Sequence, residues 1–199
     1  MSSAQPDTRL RILKASLELL EAGQGQGVRM ADVAKRAGVS RQAVYLHFES
    51  RAELLIQTTL YLDDIAGSQE RLIPSREATT GVARLDAFIE AWTAYLPIIY
   101  PSARALLAMR ETDEDAAHAW DQRMRDMREG CEAAVTALQR DGQLNPAHDP
   151  QEATDLLWML LSVRNWEQLT RISGWSQEAY AAKIRSSAHQ LLVMPKASK

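Results

Sequence analysis

The chain has 199 residues, 46% of them hydrophobic and 25% charged, with a formal net charge of −3, enough apolar material for one sizeable core or for a small domain joined to a larger one. No apolar run approaches the roughly 18 residues of a membrane span, and the N-terminal stretch MSSAQPDTRLRILKAS lacks the apolar core of a secretory signal. The single cysteine, Cys131, excludes an internal disulfide and a cysteine-based zinc site, so a reducing cytoplasm is the expected compartment.

Taken in chain order, the sequence reads as all-α, with about nine helices and no sustained alternation of apolar and polar residues. A first helix is expected from Asp7 or Thr8 to Ala22, with Leu10, Leu13, Leu17 and Leu20 as its apolar stripe. Gly23, Gly25 and Gly27 end it. A second helix, Met30 to Ala37, buries Met30, Val33, Ala34 and Ala37, and Gly38 closes it in the left-handed conformation that a helix C-terminus favours. Ser40 caps a third helix, Arg41 to His47. Ser50, with Glu53 three residues on, opens a fourth through LLIQTTLYLDDIAG as a capping box. The pattern loosens between Ser68 and Thr80, where Pro74 is a breaker. Further helices are expected at Gly81–Tyr95, Ser102–Arg110, Asp113–Arg140, Pro150–Ile172 and Ser176–Val193. Pro97 and Pro101 bracket a kink or turn, and GQLNPAHDP forms a loop.

The charge is uneven. Residues 1–51 carry +3 and the remainder −6, so the first part suits a polyanion better than the second. The second and third helices, joined by Gly38-Val39-Ser40, have helix-turn-helix anatomy. Ala34 is small where two helices cross, Val39 and Val44 are apolar where the pair closes on the first helix, and Phe48 plugs the base. That leaves Arg41, Gln42, Tyr45 and His47 facing outward. Arg and Gln can hydrogen-bond base edges in a major groove, guanine and adenine respectively. Tyr45 and His47 suit phosphates, which set register without reading sequence. Ser40 and Arg51 lie at helix N-termini, where backbone N–H groups also favour phosphate.

The run Val33-Ala34-Lys35-Arg36-Ala37-Gly38-Val39-Ser40, then Tyr45-Leu46-His47-Phe48, then Ser50-Arg51-Ala52-Glu53-Leu54, resembles the DNA-binding domain of TetR (tetracycline-repressor-type) family regulators over about 50 residues. The chain departs from that pattern at Val28-Arg29, where the family has Thr or Ser touching phosphate, so Arg29 is expected to make that contact by charge. Arg51 replaces the family's Lys, and Gln42 stands where Gly is frequent, adding a side chain able to read a base.

The resemblance implies a helix-turn-helix domain over residues 1–51 and an effector-binding and dimerisation domain over 52–199. It also implies a homodimer that places two heads about one DNA turn, roughly 34 Å, apart on a palindromic operator. Within LLWMLLSVRNWEQL the apolar residues fall on more than one face, Leu156, Leu160 and Val163 on one of them. The last helix adds a stripe of Tyr180, Ile184, Ala188 and Leu191. Together these seven are the expected dimer surface.

Trp92, Trp120 and Trp158, with Arg104 and Arg110, are the candidates for a small-molecule effector of aromatic or apolar character, although core packing is the commoner role of a tryptophan. No nucleophile elbow, phosphate loop or His-Glu-x-x-His occurs, so no catalytic residue, cofactor or metal is expected. The reading is a ligand-responsive DNA-binding repressor released from its operator by an effector. The alternatives are an activator or an effector-independent regulator of the same fold and, more remotely, a helical small-molecule enzyme.

Overall fold

The computed structural model describes residues 7–23 and 28–195. Gly25 and Gly27, expected to end the first helix, and the first six residues of the N-terminal stretch lie outside the described residues. The architecture is the expected all-α one, with helices α1 (Thr8–Ala22), α2 (Met30–Ala37), α3 (Arg41–His47), α4 (Arg51–Ile65), α5 (Ser68–Arg71), α6 (Ile73–Glu77), α7 (Gly81–Met109), α8 (Glu114–Arg140), α9 (Pro150–Leu160), α10 (Val163–Trp166) and α11 (Gln177–Leu192). No helix among the described residues is long and apolar enough to cross a membrane.

Packing divides the chain into two compact units, Met1–Ala66 with Ile99–Arg123, and Gly67–Ile98 with Met124–Lys199. A cut after residue 51 is therefore not a packing boundary. Leu54 and Leu55 of α4, Leu106 and Met109 of α7, and Ala116 and Ala119 of α8 share one core cluster with Ile12, Leu20, Val33, Val44 and Phe48. In α1 the buried side includes Ile12, Leu13, Ser16, Leu17 and Leu20, whereas Leu10, expected on the stripe, is 43% exposed. The helix is covered by both α2 and α4, which widens its buried face beyond a single stripe and turns it toward Ile12 and Ser16. The buried Thr58 hydroxyl donates to the Leu54 carbonyl at 2.7 Å and lies 2.8 Å from Ser16 Oγ, so neither hydroxyl is stranded.

Two helix expectations fail for one reason. Helix α7 does not break at its prolines but runs from Gly81 to Met109. Pro97 has no N–H to offer the carbonyl of Thr93 four residues back, and the Gln177 side-chain amide donates to that carbonyl instead, at 2.7 Å. Conversely, the helix expected over Pro150–Ile172 is broken. It opens with a capping box between Asp149 and Glu152, ends at Leu160, and restarts behind Ser162, whose hydroxyl accepts from the Arg164 amide. The Leu161 carbonyl at the break accepts from Trp92 Nε1 at 2.8 Å. A π-helical turn, Glu167–Ile172, follows. At both places a side chain from another helix supplies the hydrogen bond that the local backbone cannot. Close approach also explains Gly81, since a Cβ there would lie 2.6 Å from the Ala137 carbonyl oxygen.

Candidate nucleic-acid interface

The first unit builds a helix-turn-helix from three local devices. Gly38 ends α2 at φ 65°, a left-handed conformation costly for any residue with a Cβ. The Arg11 guanidinium, reaching from α1, donates to the carbonyls of Ala37 and Gly38 at 2.6 and 3.0 Å and so caps the C-terminus of α2 with positive charge. Ser40 Oγ then accepts from the Ala43 amide at 3.0 Å and starts α3. Val44 and Phe48 are buried to 0% and 1% exposure and anchor α3 from beneath.

Apart from the half-buried Ala43, the rest of α3 faces outward. Arg41, Gln42, Tyr45 and His47 are all exposed, as are the capping Ser40 and the more distant Arg29. Arg41 and Tyr45, one turn apart, form a pair, with the guanidinium carbon 5.6 Å from the ring centroid. Gln42 is matched one turn on by Leu46. That leucine is absent from the residues expected at the interface, yet it is 80% exposed. Its spacing of four from Gln42 was the signal for it. Arg29 precedes α2 with no side-chain capping bond of its own.

Arg51 is placed differently from these. Its guanidinium binds Asp113 in a two-pronged ion pair, with both N–O distances 2.7 Å, reaches Asp115 at 3.2 Å, and donates to the Val28 carbonyl. Asp113 also accepts from the Ala116 amide at the start of α8. The hydrogen bond from Arg51 holds the Asp113 carboxyl below its ordinary pKa, and the same bond raises that of Arg51. A guanidinium so engaged joins the start of α4 to the start of α8, and its charge is compensated within the protein.

The five residues expected to bind an effector are not brought together in one unit. Trp120 packs against the core cluster of the first unit, and Arg110 of that unit pairs with Asp121 at 3.2 Å. Arg104 is exposed. Trp92 and Trp158 belong to the second unit and are half-buried. The Trp92 ring stands edge-on to Tyr95 with centroids 5.8 Å apart, and its N–H is bound to Leu161.

The expected dimer stripe is also redistributed. Val163, Tyr180, Ile184 and Ala188 are buried within the chain itself, because the apolar face of α11 covers its own unit, while Leu156, Leu160 and Leu191 are half-buried. Among the described residues no group of three or more His, Cys, Asp or Glu is placed to hold a metal ion. Cys131 is buried, and burial pushes its thiol up to about 12.

This geometry agrees with the comparisons. Residues 12–58 match the model of the tetR family of bacterial regulatory proteins. Over those residues the chain is similar to the N-terminal helix-turn-helix module of that family. Among similar proteins, the nucleoid occlusion factor SlmA of Marinomonas sp. is 29% identical over 89 residues, 45% of each chain, so the chain matches under half the length of such relatives. A regulator of Saccharomonospora viridis crystallised with choline superposes with a TM-score of 0.74 at 16% identity, covering 96% of this chain and 100% of that one. NalD, the secondary repressor of the MexAB-OprM multidrug efflux pump in Pseudomonas aeruginosa, does so with a TM-score of 0.67 at 23% identity, covering 94% and 96%. At such identities these likenesses establish the fold.

Proposed function

We propose that this protein is a cytoplasmic, homodimeric transcriptional repressor that binds a palindromic operator and is released from it by a small-molecule effector. The observation that carries the reading is α3 itself, a seven-residue helix held from beneath by Val44 and Phe48 and exposing Arg41, Gln42, Tyr45 and His47. Arg41 and Gln42 read base edges. Tyr45, His47, Ser40 and Arg29 contact phosphates and set register. Arg51 is left out of the phosphate contacts because Asp113 already neutralises it.

Dimerisation places two α3 helices in successive major grooves. The half-buried Leu156, Leu160 and Leu191 of α9 and α11, with the exposed Met159, are the residues we assign to the contact between copies. The effector, of aromatic or apolar character, binds in the second unit near Trp92 and Trp158 and favours the state released from DNA. An effector that prefers the off-DNA state by about 1–3 kcal/mol lowers operator affinity 5- to 150-fold. The choline complex of one structural neighbour and the repressor role of another support this reading.

The test is selection of DNA from a random pool by the purified protein at fixed salt. A palindromic consensus is the expected result, and an operator of that sequence then serves to screen effectors. No enrichment at low salt overturns the reading.

A further inference from the structure

We propose that Leu46 reads a thymine methyl group in the operator, beside the base contacted by Gln42. The inference rests on the DNA-binding reading above and names a specificity-determining residue within it.

Leu46 is the most exposed large apolar side chain among the described residues, at 80%, and it stands in the last turn of a helix whose other exposed side chains are polar. It takes no part in holding that helix in place, which Val44 and Phe48 do from the opposite side. Having no hydrogen-bonding group, it cannot bind a phosphate or a polar base edge. The apolar feature that a major groove offers is the C5 methyl of thymine.

Position narrows the target further. Gln42 and Leu46 are four residues apart and therefore lie on one side of α3, next to the ridge formed by the Arg41–Tyr45 pair. One helical turn advances about 5.4 Å, against about 3.4 Å per base along a strand. The methyl that Leu46 meets thus lies within about two base steps of the adenine that suits Gln42. Each half-site should accordingly hold an adenine and a thymine at that spacing, read by an amide and an isobutyl group from the same side of the helix.

The experiment replaces each thymine of the selected operator, one at a time, with deoxyuridine. This removes the methyl group and leaves every hydrogen-bonding edge intact. Affinity is measured for the wild-type protein and for Leu46→Ala, an exposed position where the substitution leaves the core untouched. The expected result is a single thymine per half-site whose methyl loss weakens the wild type about fourfold, the equivalent of ~0.8 kcal/mol for one methyl-sized group, and leaves Leu46→Ala unaffected. A flat deoxyuridine scan with the wild type overturns the inference. So does a Leu46→Ala loss that is equal on every operator, which assigns the side chain to the sugar–phosphate backbone. Failure of the wild type to bind any operator selectively overturns the DNA-binding reading itself, and that outcome is distinct from a flat scan on a bound operator.

Discussion

Gln177 on α11 donates its side-chain amide to the Thr93 carbonyl on α7 at 2.7 Å, completing a helix that Pro97 leaves one hydrogen bond short. The same side chain accepts from Trp166 Nε1 at 2.8 Å, so one glutamine joins three segments of the second unit. Gln177→Ala strands a carbonyl and an indole N–H and should cost about 1–3 kcal/mol. In a Pro97→Ala background α7 regains its own donor for Thr93, and the cost of losing Gln177 should shrink. Denaturant melts of the two single variants and the double variant measure that coupling. Equal costs in both backgrounds would sink the idea that Gln177 replaces the missing backbone donor.

Arg51 and Asp113 give a pH-dependent prediction. The Asp113 carboxyl is held below its ordinary 3.8 by the Arg51 hydrogen bond. A folded-state value below the unfolded one means that the pair stabilises fully at pH above the unfolded value. That contribution is lost as pH falls through the lower, folded value. Asp113→Asn should therefore cost about 2 kcal/mol at neutral pH. Its melting curve should converge with the wild type in strong acid, as thermal melts against pH will register.

Salt separates the roles of two arginines. Arg29→Ala, if its guanidinium meets a phosphate, should lower the slope of log affinity against log salt by about 1. Arg51→Ala should lower stability and leave that slope unchanged, because the charge is already compensated by Asp113. Operator titrations over a salt series read both.

On α3, Arg41→Ala and Gln42→Ala should each relax preference at one base position and cost about 1–3 kcal/mol. Tyr45→Phe should weaken all operators evenly. Binding-site logos from repeated selections distinguish the two patterns, and an unaltered logo for Arg41→Ala and Gln42→Ala would place base reading elsewhere.

Cys131 should be inert in the native protein, since burial pushes its thiol up to about 12. A thiol reagent at pH 8 should label it only on unfolding, and mass spectrometry across a denaturant series will show labelling rise with the unfolding transition.

The first four helices were legible almost to the residue, because each is decided by neighbours a few positions away. Gly38 needs its left-handed φ, Ser40 and Ser50 accept from the amides three residues on, and Val33, Ala34 and Val44 repeat on one side. Even here one detail escaped: Glu53 reaches the Glu49 amide, at 2.7 Å, so the box expected at Ser50 closes one residue earlier. The outward placing of Leu46 is legible too, from its spacing of four residues from Gln42. Trp120 was not, since nothing local tells a tryptophan that meets a ligand from one that covers a core.

What the sequence by itself determined is the all-α class, the helix-turn-helix, and which side of α3 faces outward. These follow from periodicity and capping within a few residues of chain. Only tertiary structure decided that α7 passes through two prolines, that α9 stops at Leu160, that Tyr180 and Ile184 face their own core, and that Arg51 belongs to Asp113. For α7, α9 and Arg51 the deciding partner lies between 62 and 84 residues away, and Tyr180 and Ile184 are buried in the core of their own chain. A backbone group or charge left unsatisfied locally is stable wherever a distant one completes it, and the spacing of residues along a chain carries no record of that distant partner.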